Sequence, residues 1–170
     1  MLLSVLTTNQ KGLIAETAII AECVRLGVGV CRPLDDERYD LILDLRPRLL
    51  RVQCKWATRD SDVVVARLYS NRRGPNGMIT RRYTTEEIDC FAVHCMELSR
   101  SFLLPADGCR QVLLRLGPTR NNQAAGIRWA CDYEFAARLR DLQGAVAQLG
   151  ERDAGSVEAR GSSPLRSTLF

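Results

Sequence analysis

Residues 39–56, YDLILDLRPRLLRVQCKW, combine a carboxylate, an amide and an ammonium group on two short predicted strands. Asp40 opens the first apolar run, and Gln53 and Lys55 lie two positions apart on the second. Because side chains alternate between the faces of a strand, Gln53 and Lys55 project to the same side. Oxygen ligands suit a hard divalent cation, and an ammonium stabilises charge that develops on a phosphoryl group. The pattern therefore predicts metal-assisted hydrolysis of a phosphodiester bond.

The predicted cation ligands are the carboxylate of Asp40, the side-chain carbonyl of Gln53 and the backbone carbonyl of Cys54. A further carboxylate, Glu16, lies on the predicted helix before these strands, and it reaches the site through water or binds a second ion. Lys55 stabilises the phosphoryl charge or orients the nucleophile. The predicted catalytic residues are therefore Glu16, Asp40, Gln53 and Lys55.

Two other carboxylates, Asp36 and Asp44, compete with Asp40 for the metal-binding role. Asp44 shares a strand face with Asp40, but it lies farther from Gln53 across a hairpin that turns at residues 46–48. We therefore expect Asp40 to be the ligand.

The clearest helix covers residues 7–26, where Thr7 or Thr8 is the N-cap and glycines follow the end. Its predicted apolar surface is wide and comprises Leu13, Ile14, Thr17, Ala18, Ile20, Ala21 and Val24. Glu16 falls within this surface, and a buried carboxylate is costly unless it is paired or bound to a metal. The alternative is that Glu16 lies at the solvated edge of the helix.

The centre of the chain is rich in short predicted strands. They are Val28–Cys31, Leu41–Leu45, Leu49–Ala57, Val63–Tyr69, Ile79–Tyr83, Phe91–His94, Phe102–Leu104 and Val112–Leu116. Residues 127–139 become helical at their end. One helix, a strand-rich centre and a helical end predict an α/β or α+β fold in which helices flank one sheet.

A flexible hairpin loop is predicted at residues 72–77, RRGPNG, from its Pro and Asn-Gly turn residues. A two-stranded ribbon fits the major groove of DNA, and arginine binds guanine through two hydrogen bonds. The predicted DNA-binding residues belong to this hairpin and to a later polar loop: Arg72, Arg73, Arg81, Arg82, Asn121, Asn122 and Gln123. Phosphate contact or solubility is the alternative for the arginines, and an ordinary loop is the alternative for the amides.

Two other groups are interpreted as structural. His94, the single histidine, lacks the partners that a histidine–metal nuclease needs, so we expect an ordinary strand residue. The series Thr85, Glu87 and Asp89 indicates a capping turn at the start of a helical turn rather than a second metal site.

The 170 residues, 46% of them hydrophobic, fit a single domain, which we place at residues 1–143. Seven cysteines without a CxxC pair argue against a zinc site and a disulfide framework, and they favour a reducing, cytoplasmic setting. No apolar run approaches the ~20 residues that a membrane-spanning helix needs.

Composition changes at Gly144, and residues 144–170 show no sustained hydrophobic period, so we expect a disordered tail. Back-translation of this tail accommodates segments like the D-arm, anticodon stem and T-arm of a transfer RNA gene, in that order. We hypothesise that the reading frame runs into a transfer RNA gene, and that the tail is not selected as protein.

The order of these motifs resembles the PD-(D/E)xK nuclease superfamily, and in particular its group I intron-associated homing endonucleases, which carry QxK. The resemblance spans roughly residues 8–140. It rests on the helix with Glu16, YDLILD, LLRVQCKWA, the RRGPNGMITRRY hairpin, EEIDCFAVHC, FLLPAD and NNQAAGIRWACDYE.

The resemblance implies a restriction-endonuclease-like α/β (α+β) core, with a central mixed sheet flanked by helices and a DNA-binding β-hairpin. It also implies cleavage of double-stranded DNA that depends on Mg²⁺ (or Mn²⁺). Self-association as a homodimer or homotetramer is expected, since each active site cuts one strand. Gln53 departs from the usual carboxylate, and a neutral amide binds a cation less strongly. A junction resolvase or restriction-type nuclease on the same core, or a catalytically inactive DNA-binding relative, is the alternative.

Overall fold

The computed structural model describes residues 6–119 and 125–145. Helix α1 (Thr8–Arg25) comes first, and a second helix, α2, covers residues 135–145. The strands between them are β1 (Gly29–Cys31), β2 (Leu41–Asp44), β3 (Leu49–Asp60), β4 (Val63–Arg67), β5 (Tyr69–Gly74), β6 (Gly77–Arg82), β7 (Cys90–Cys95), β8 (Arg100–Pro105) and β9 (Gln111–Arg115). No helix in the described part of the chain is long and apolar enough to cross a membrane.

Seven strands form one mixed sheet, ordered β1–β2–β3–β4–β9, with β7 and then β8 joined to β3. The β3–β7 pair is parallel, and the other described pairs are antiparallel. The remaining two strands, β5 and β6, form a separate ribbon. The predicted α/β (α+β) class, with a mixed sheet and a β-hairpin, is confirmed.

Helix α1 begins where the sequence indicates. Thr7 is the N-cap, and its hydroxyl accepts the backbone N–H of Gln10, whose side chain accepts the backbone N–H of Thr7. This reciprocal capping box satisfies two N–H groups that the first helical turn leaves without partners. Gly27, at φ +72°, follows the helix in a left-handed conformation that glycine adopts without steric cost.

The predicted apolar face of α1 is not the face that packs on the sheet. Ala15, Ile19 and Cys23 are buried, whereas Leu13 and Val24 are 57% and 65% exposed. Residues spaced by four positions lie on one face of a helix, so these three form the face against the sheet and the opposite stripe points outward. That outward stripe lies on Leu13, Thr17, Ala21 and Val24.

Two clusters of buried side chains lie on opposite faces of the sheet. The helix-side cluster includes Ile19 and Cys23 of α1, Phe135 and Leu139 of α2, and Val52 of β3. The site-side cluster lies on the other face and includes Ala57, Tyr83, Ile88, Phe91 and Phe102. Because strand side chains alternate, Gln53 and Lys55 of β3 share the face of Ala57.

The segment 63–69, predicted as one strand, divides at Leu68. Strand β4 pairs with β9 in the main sheet, and β5 pairs with β6 in the ribbon. Leu68 is buried, and its N–H donates to the carbonyl of Arg110 at 2.8 Å. This anchored residue therefore separates the ribbon from the main sheet.

The predicted loop at residues 72–77 is mostly strand. Gly74 pairs with Gly77, so the turn comprises only residues 75–76, and Arg72 and Arg73 lie within β5. The predicted hairpin is present, but its loop is shorter than predicted, because glycine on each side permits a tight two-residue turn.

Most of the predicted tail lies outside the described residues, as do Asn121, Asn122 and Gln123. Helix α2 continues through residue 145, so the first two residues of the predicted tail are helical. The expected helical end after residue 127 is present.

Candidate active site

Strand β3 pairs with β2 and then with β4 along the same edge, and a gap between these two partners is where Asp40 and Gln53 meet. Strand β2 pairs with β3 as far as Val52, and β4 joins from Ala57 onward. Strand β7 follows the opposite edge over the same interval. On the gap edge, residues 53–56 have no partner among the described strands, so their backbone groups must be satisfied otherwise.

Asp40 closes this gap from the end of β2. Its N–H donates to the carbonyl of Val52 at 2.9 Å, which extends the ladder by one residue. Its Oδ2 accepts the backbone N–H of Cys54 at 2.7 Å and also the side-chain amide of Gln53. These contacts fix the orientation of the Asp40 carboxylate at the gap.

The side-chain amide of Gln53 forms hydrogen bonds to both of the other predicted ligands. Its Nε2 donates to Asp40 Oδ2 and, at 3.2 Å, to the carbonyl of Cys54. Only the backbone of Cys54 faces this point, because its side chain packs in the helix-side cluster, where burial raises the pKa of the thiol. The structure thus brings together Asp40, Gln53 and the Cys54 carbonyl, as the sequence predicts.

These groups fit a hard divalent cation by the chemistry of their oxygens. Among the described residues no cluster of three or more His, Cys, Asp and Glu could hold a metal ion, so a cation here would need amide and carbonyl oxygens beside the Asp40 carboxylate. Gln53 turns its nitrogen towards the other two groups. The side-chain amide must flip, so that its oxygen and nitrogen exchange positions, before Oε1 can serve as a ligand.

The carboxyl group of Asp40 has a perturbed affinity for protons. Burial is the main reason that its pKa is raised to about 6. The hydrogen bond from the Cys54 N–H lowers this pKa, and the negative charge of Glu16 raises it. Lys55 and Arg32 act in the opposite direction. A buried titratable group with a perturbed pKa in a cleft marks a candidate functional site.

Glu16 lies beside this group, at the border of the helix. Its side chain is only 20% exposed, and its Oε2 accepts Arg32 Nη2 at 2.7 Å. The charge is therefore paired, which satisfies the requirement for burial without a metal. The negative charge of Glu16 acts on Asp40 and contributes to the raised pKa of that carboxyl.

Lys55 projects from the same face of β3, but it does not contact Asp40 directly. Its Nζ donates to the hydroxyl of Tyr83 at 2.9 Å and lies 4.7 Å from the centre of that ring. Tyr83 was missed by the sequence reasoning. It follows an arginine-rich strand, and nothing in its spacing indicates a contact with Lys55.

A cleft of about 770 Å³ extends from Asp40 and Gln53 to the ribbon. Its wall on the ribbon side is formed by Ser70, Asn71, Arg72, Ile79 and Arg81. The pairs Arg72–Ile79 and Ser70–Arg81 lie on one face of the ribbon, because directly paired residues share a face. Arg73 and Arg82 therefore lie on the other face.

Arg38, which was also missed, organises the base of the ribbon together with Glu87. Arg38 donates to Ser70 Oγ at 3.1 Å and to the Arg82 carbonyl at 3.0 Å. Glu87 forms ion pairs with Arg38 and Arg81. The excess of arginine near the hairpin was a signal for a carboxylate partner, but the sequence did not identify which one.

A family model described as PD-(D/E)XK endonuclease matches residues 6–136, which is most of the chain. The chain belongs to the PD-(D/E)XK endonuclease family. The solved structure of a bacterial homing endonuclease, I-Ssp6803I, is similar, with a TM-score of 0.67 and 25% identity over 84% of this chain and 99% of that chain. A comparison with curated proteins finds no match. The predicted family is confirmed, and the chain is a nuclease of the PD-(D/E)XK type.

Members of the PD-(D/E)XK family generally use divalent metal ions and act on DNA.

Of the competing carboxylates, Asp36 lines the cleft, whereas Asp44 accepts the backbone N–H of Arg46 at 3.0 Å in the turn after β2. Asp40 is the one that contacts Gln53. The position of Asp44 at the far end of β2 explains why it is not at the gap.

The residues interpreted as structural have structural contacts. His94 is buried in β7, and its Nδ1 lies 3.1 Å from Ser101 Oγ. Glu87 Oε2 accepts the N–H of Thr84 at 3.1 Å, which is the contact of a capping turn. Asp89 accepts hydrogen bonds from Arg51.

Proposed function

We propose that the chain is a metal-dependent, site-specific endonuclease of the homing type that hydrolyses phosphodiester bonds in double-stranded DNA. The observation that supports this is one continuous cleft. Asp40, Gln53 and the Cys54 carbonyl meet at one end of it, and the arginine face of the ribbon forms its wall. A duplex held by the ribbon would present a phosphate to this group.

The catalytic residues have separate roles in this proposal. Asp40, the turned-over amide of Gln53 and the Cys54 carbonyl would hold Mg²⁺ (or Mn²⁺), which supplies Lewis-acid polarisation of the phosphate and a more acidic water. Lys55 stabilises the negative charge that develops on the phosphoryl oxygens. Glu16 remains paired with Arg32 and supplies negative charge beside Asp40.

The ribbon is the proposed DNA-binding arm. Two antiparallel strands have the width that a major groove admits, and Arg72, Arg73, Arg81 and Arg82 all lie on β5 and β6. Arg72 lines the cleft, and Arg81 does so while paired with Glu87. Asn121, Asn122 and Gln123 are proposed as additional contacts to adenine edges.

We propose self-association as a homodimer or homotetramer, since one site per chain cuts one strand. The support is the outward stripe of α1, on which Leu13 and Val24 are mostly exposed. Apolar side chains in a row on a helix are a common contact surface between subunits. All seven cysteines are free, and we infer a reducing intracellular setting from them.

The test is incubation of the purified full chain with long random-sequence DNA and Mg²⁺, followed by sequencing of the ends. Rare, discrete double-strand cuts are expected. A preference for branched DNA would identify a junction resolvase instead. If the chain binds DNA without cutting it, and Lys55→Ala changes nothing, the chain is an inactive relative and the proposal is wrong.

A further inference from the structure

We propose that Tyr83 is a positioning residue for Lys55, and that Arg38 couples this position to the base of the ribbon. The inference rests on the proposed function, in which Lys55 acts on the phosphoryl group. The proposed connection runs from Lys55 through Tyr83 and Arg38 to the ribbon, and these residues lie far apart in the sequence.

Tyr83 is held rigidly. The residue is 6% exposed, and its ring meets Phe91 edge-on, with centroids 5.4 Å apart and planes at 89°. Edge-to-face contact of this kind fixes the ring beyond simple burial. The hydroxyl of Tyr83 therefore occupies a defined position at the mouth of the core.

Lys55 needs such a partner. A lysine ammonium is a compact charge on a flexible stem, so it samples many positions unless its end is bound. In the described part of the chain Lys55 forms no ion pair with a carboxylate, and its hydrogen-bond partner is Tyr83, at 2.9 Å. The short distance of 4.7 Å from Nζ to the ring centre adds a cation–π attraction. Tyr83 thus selects where the ammonium lies.

Arg38, from the segment between β1 and β2, contacts the same ring. Its guanidinium carbon lies 4.0 Å from the ring centre of Tyr83. The same guanidinium donates to Ser70 of β5 and to the carbonyl of Arg82 of β6, so it spans both strands of the ribbon. Glu87 balances its charge through an ion pair at 3.3 Å. A shift of the ribbon base on DNA would therefore be transmitted to Tyr83 and to Lys55.

The experiment compares Tyr83→Phe with the wild-type full chain. This substitution keeps the ring, its contact with Phe91 and its stacking with Arg38, and it removes only the hydroxyl. Tyr133→Phe is the matched control, because Tyr133 packs against the same site-side cluster away from Lys55. Single-turnover cleavage at saturating enzyme is measured with Mg²⁺ on plasmid DNA that carries a sequence cut by the wild type, and duplex binding is measured with Ca²⁺.

We expect Tyr83→Phe to lower the single-turnover rate about 10- to 100-fold, because a small misplacement of a catalytic group has an effect of that order. Binding of the duplex should stay within about twofold of wild type, a difference too small to signal a lost contact. Tyr133→Phe should cleave as the wild type does. An unchanged rate in Tyr83→Phe, or a loss of binding with an unchanged saturating rate, would overturn the proposal.

A second readout does not depend on cleavage. The chain contains only two lysines, Lys11 and Lys55, so ¹⁵N spectra of the lysine ammonium groups are simple to assign with Lys55→Arg. The Lys55 signal should be visible in the wild type, because a bound ammonium exchanges slowly with water, and it should be lost in Tyr83→Phe. If the wild type cleaves no DNA, the proposed function fails. The spectrum still decides the contact: loss of the signal in Tyr83→Phe supports it, and a retained signal overturns it.

Discussion

The carboxylate of Asp40, which directly precedes β2, accepts the backbone N–H of Cys54 on β3 at 2.7 Å, although the two residues lie 14 positions apart. This contact replaces a ladder hydrogen bond that neither β2 nor β4 supplies to β3. It orients the carboxylate toward Gln53 and leaves the Cys54 carbonyl facing the same point. The geometry of the site therefore follows from an interruption in the sheet.

Lys55→Ala should remove most of the catalytic activity while DNA binding persists. Loss of a group that stabilises transition-state charge costs about 10²- to 10³-fold in rate. The measurement is single-turnover cleavage beside duplex binding. Lys11→Ala is the control, because Lys11 lies 5.9 Å from the Trp56 ring on the helix side of the sheet. Equal losses in both variants would contradict a specific role for Lys55.

Gln53→Glu should destabilise the metal-free protein and strengthen cation binding. Gln53 is 8% exposed beside Asp40, so a second carboxylate there introduces repulsion and a buried charge. We expect a loss of about 1–3 kcal/mol in EDTA, and recovery with Mg²⁺ or Mn²⁺. Thermal unfolding and calorimetric titration with the metal measure the two effects.

Gln111→Glu is the matched control for that change, since Gln111 is exposed on β9. Its unfolding should not depend on the metal. If Gln53→Glu is equally insensitive to the metal, the ligand assignment is wrong.

Asp89→Asn should lower stability in a way that depends on pH. Asp89 accepts the backbone N–H of Arg51 at 2.7 Å and its Nε at 3.2 Å. Although burial opposes the effect, these hydrogen bonds hold the pKa of Asp89 below its ordinary value. A lowered folded-state pKa means that Asp89 contributes its full stability above the unfolded value of about 4.

That contribution is lost as the pH falls through the folded-state pKa. At pH 7 we expect a deficit of about 1–3 kcal/mol in denaturant unfolding, as for hydrogen bonds to charged groups. The deficit should shrink as the pH falls below about 4, because the unfolded wild-type chain then binds a proton that the folded carboxyl, with its lowered pKa, does not yet bind. Asp60→Asn, at the exposed end of β3, should show no comparable deficit. A deficit in Asp89→Asn that is constant with pH would exclude this explanation.

Arg72→Ala should weaken DNA binding more than Arg73→Ala. Arg72 lines the cleft with Asp40 and Gln53, whereas Arg73 lies on the opposite face of the ribbon. If Arg72 contacts a phosphate, the slope of log K against log salt should fall by about 1. Binding of a mixed-sequence duplex over a series of salt concentrations measures this slope. Arg59→Ala, distant in β3, is the control, and a larger loss in Arg73→Ala would indicate that DNA contacts the other face.

Replacement of the exposed apolar residues of α1 should reduce the molar mass in solution. The double variant Leu13→Glu/Val24→Glu places charges on the outward stripe, and it should dissociate the proposed homodimer or homotetramer. Leu113→Glu is the matched control, because Leu113 is 54% exposed on β9. Light scattering at fixed concentration measures the mass. A mass unchanged in the double variant would place the subunit contact elsewhere.

The sequence by itself determined the order of the proposed catalytic groups and the elements that carry them. Alternation along a strand requires Gln53 and Lys55 to share a face, and the capping signal at Thr7 sets the start of α1. Both rules depend on residues close together in the chain, so no tertiary information is needed. The family resemblance followed from the same local motifs and was confirmed over residues 6–136.

The tertiary structure decided which distant groups meet. Asp40 rather than Asp44 reaches Gln53 because β2 ends at the gap in β3, and only the pairing of the strands shows that gap. The burial of Ile19 instead of Leu13 depends on the shape of the sheet beneath α1. Tyr83 contacts Lys55 across 28 residues of chain. Side-chain contacts at such separations depend on packing, which no local pattern records, and they determine how this site is organised.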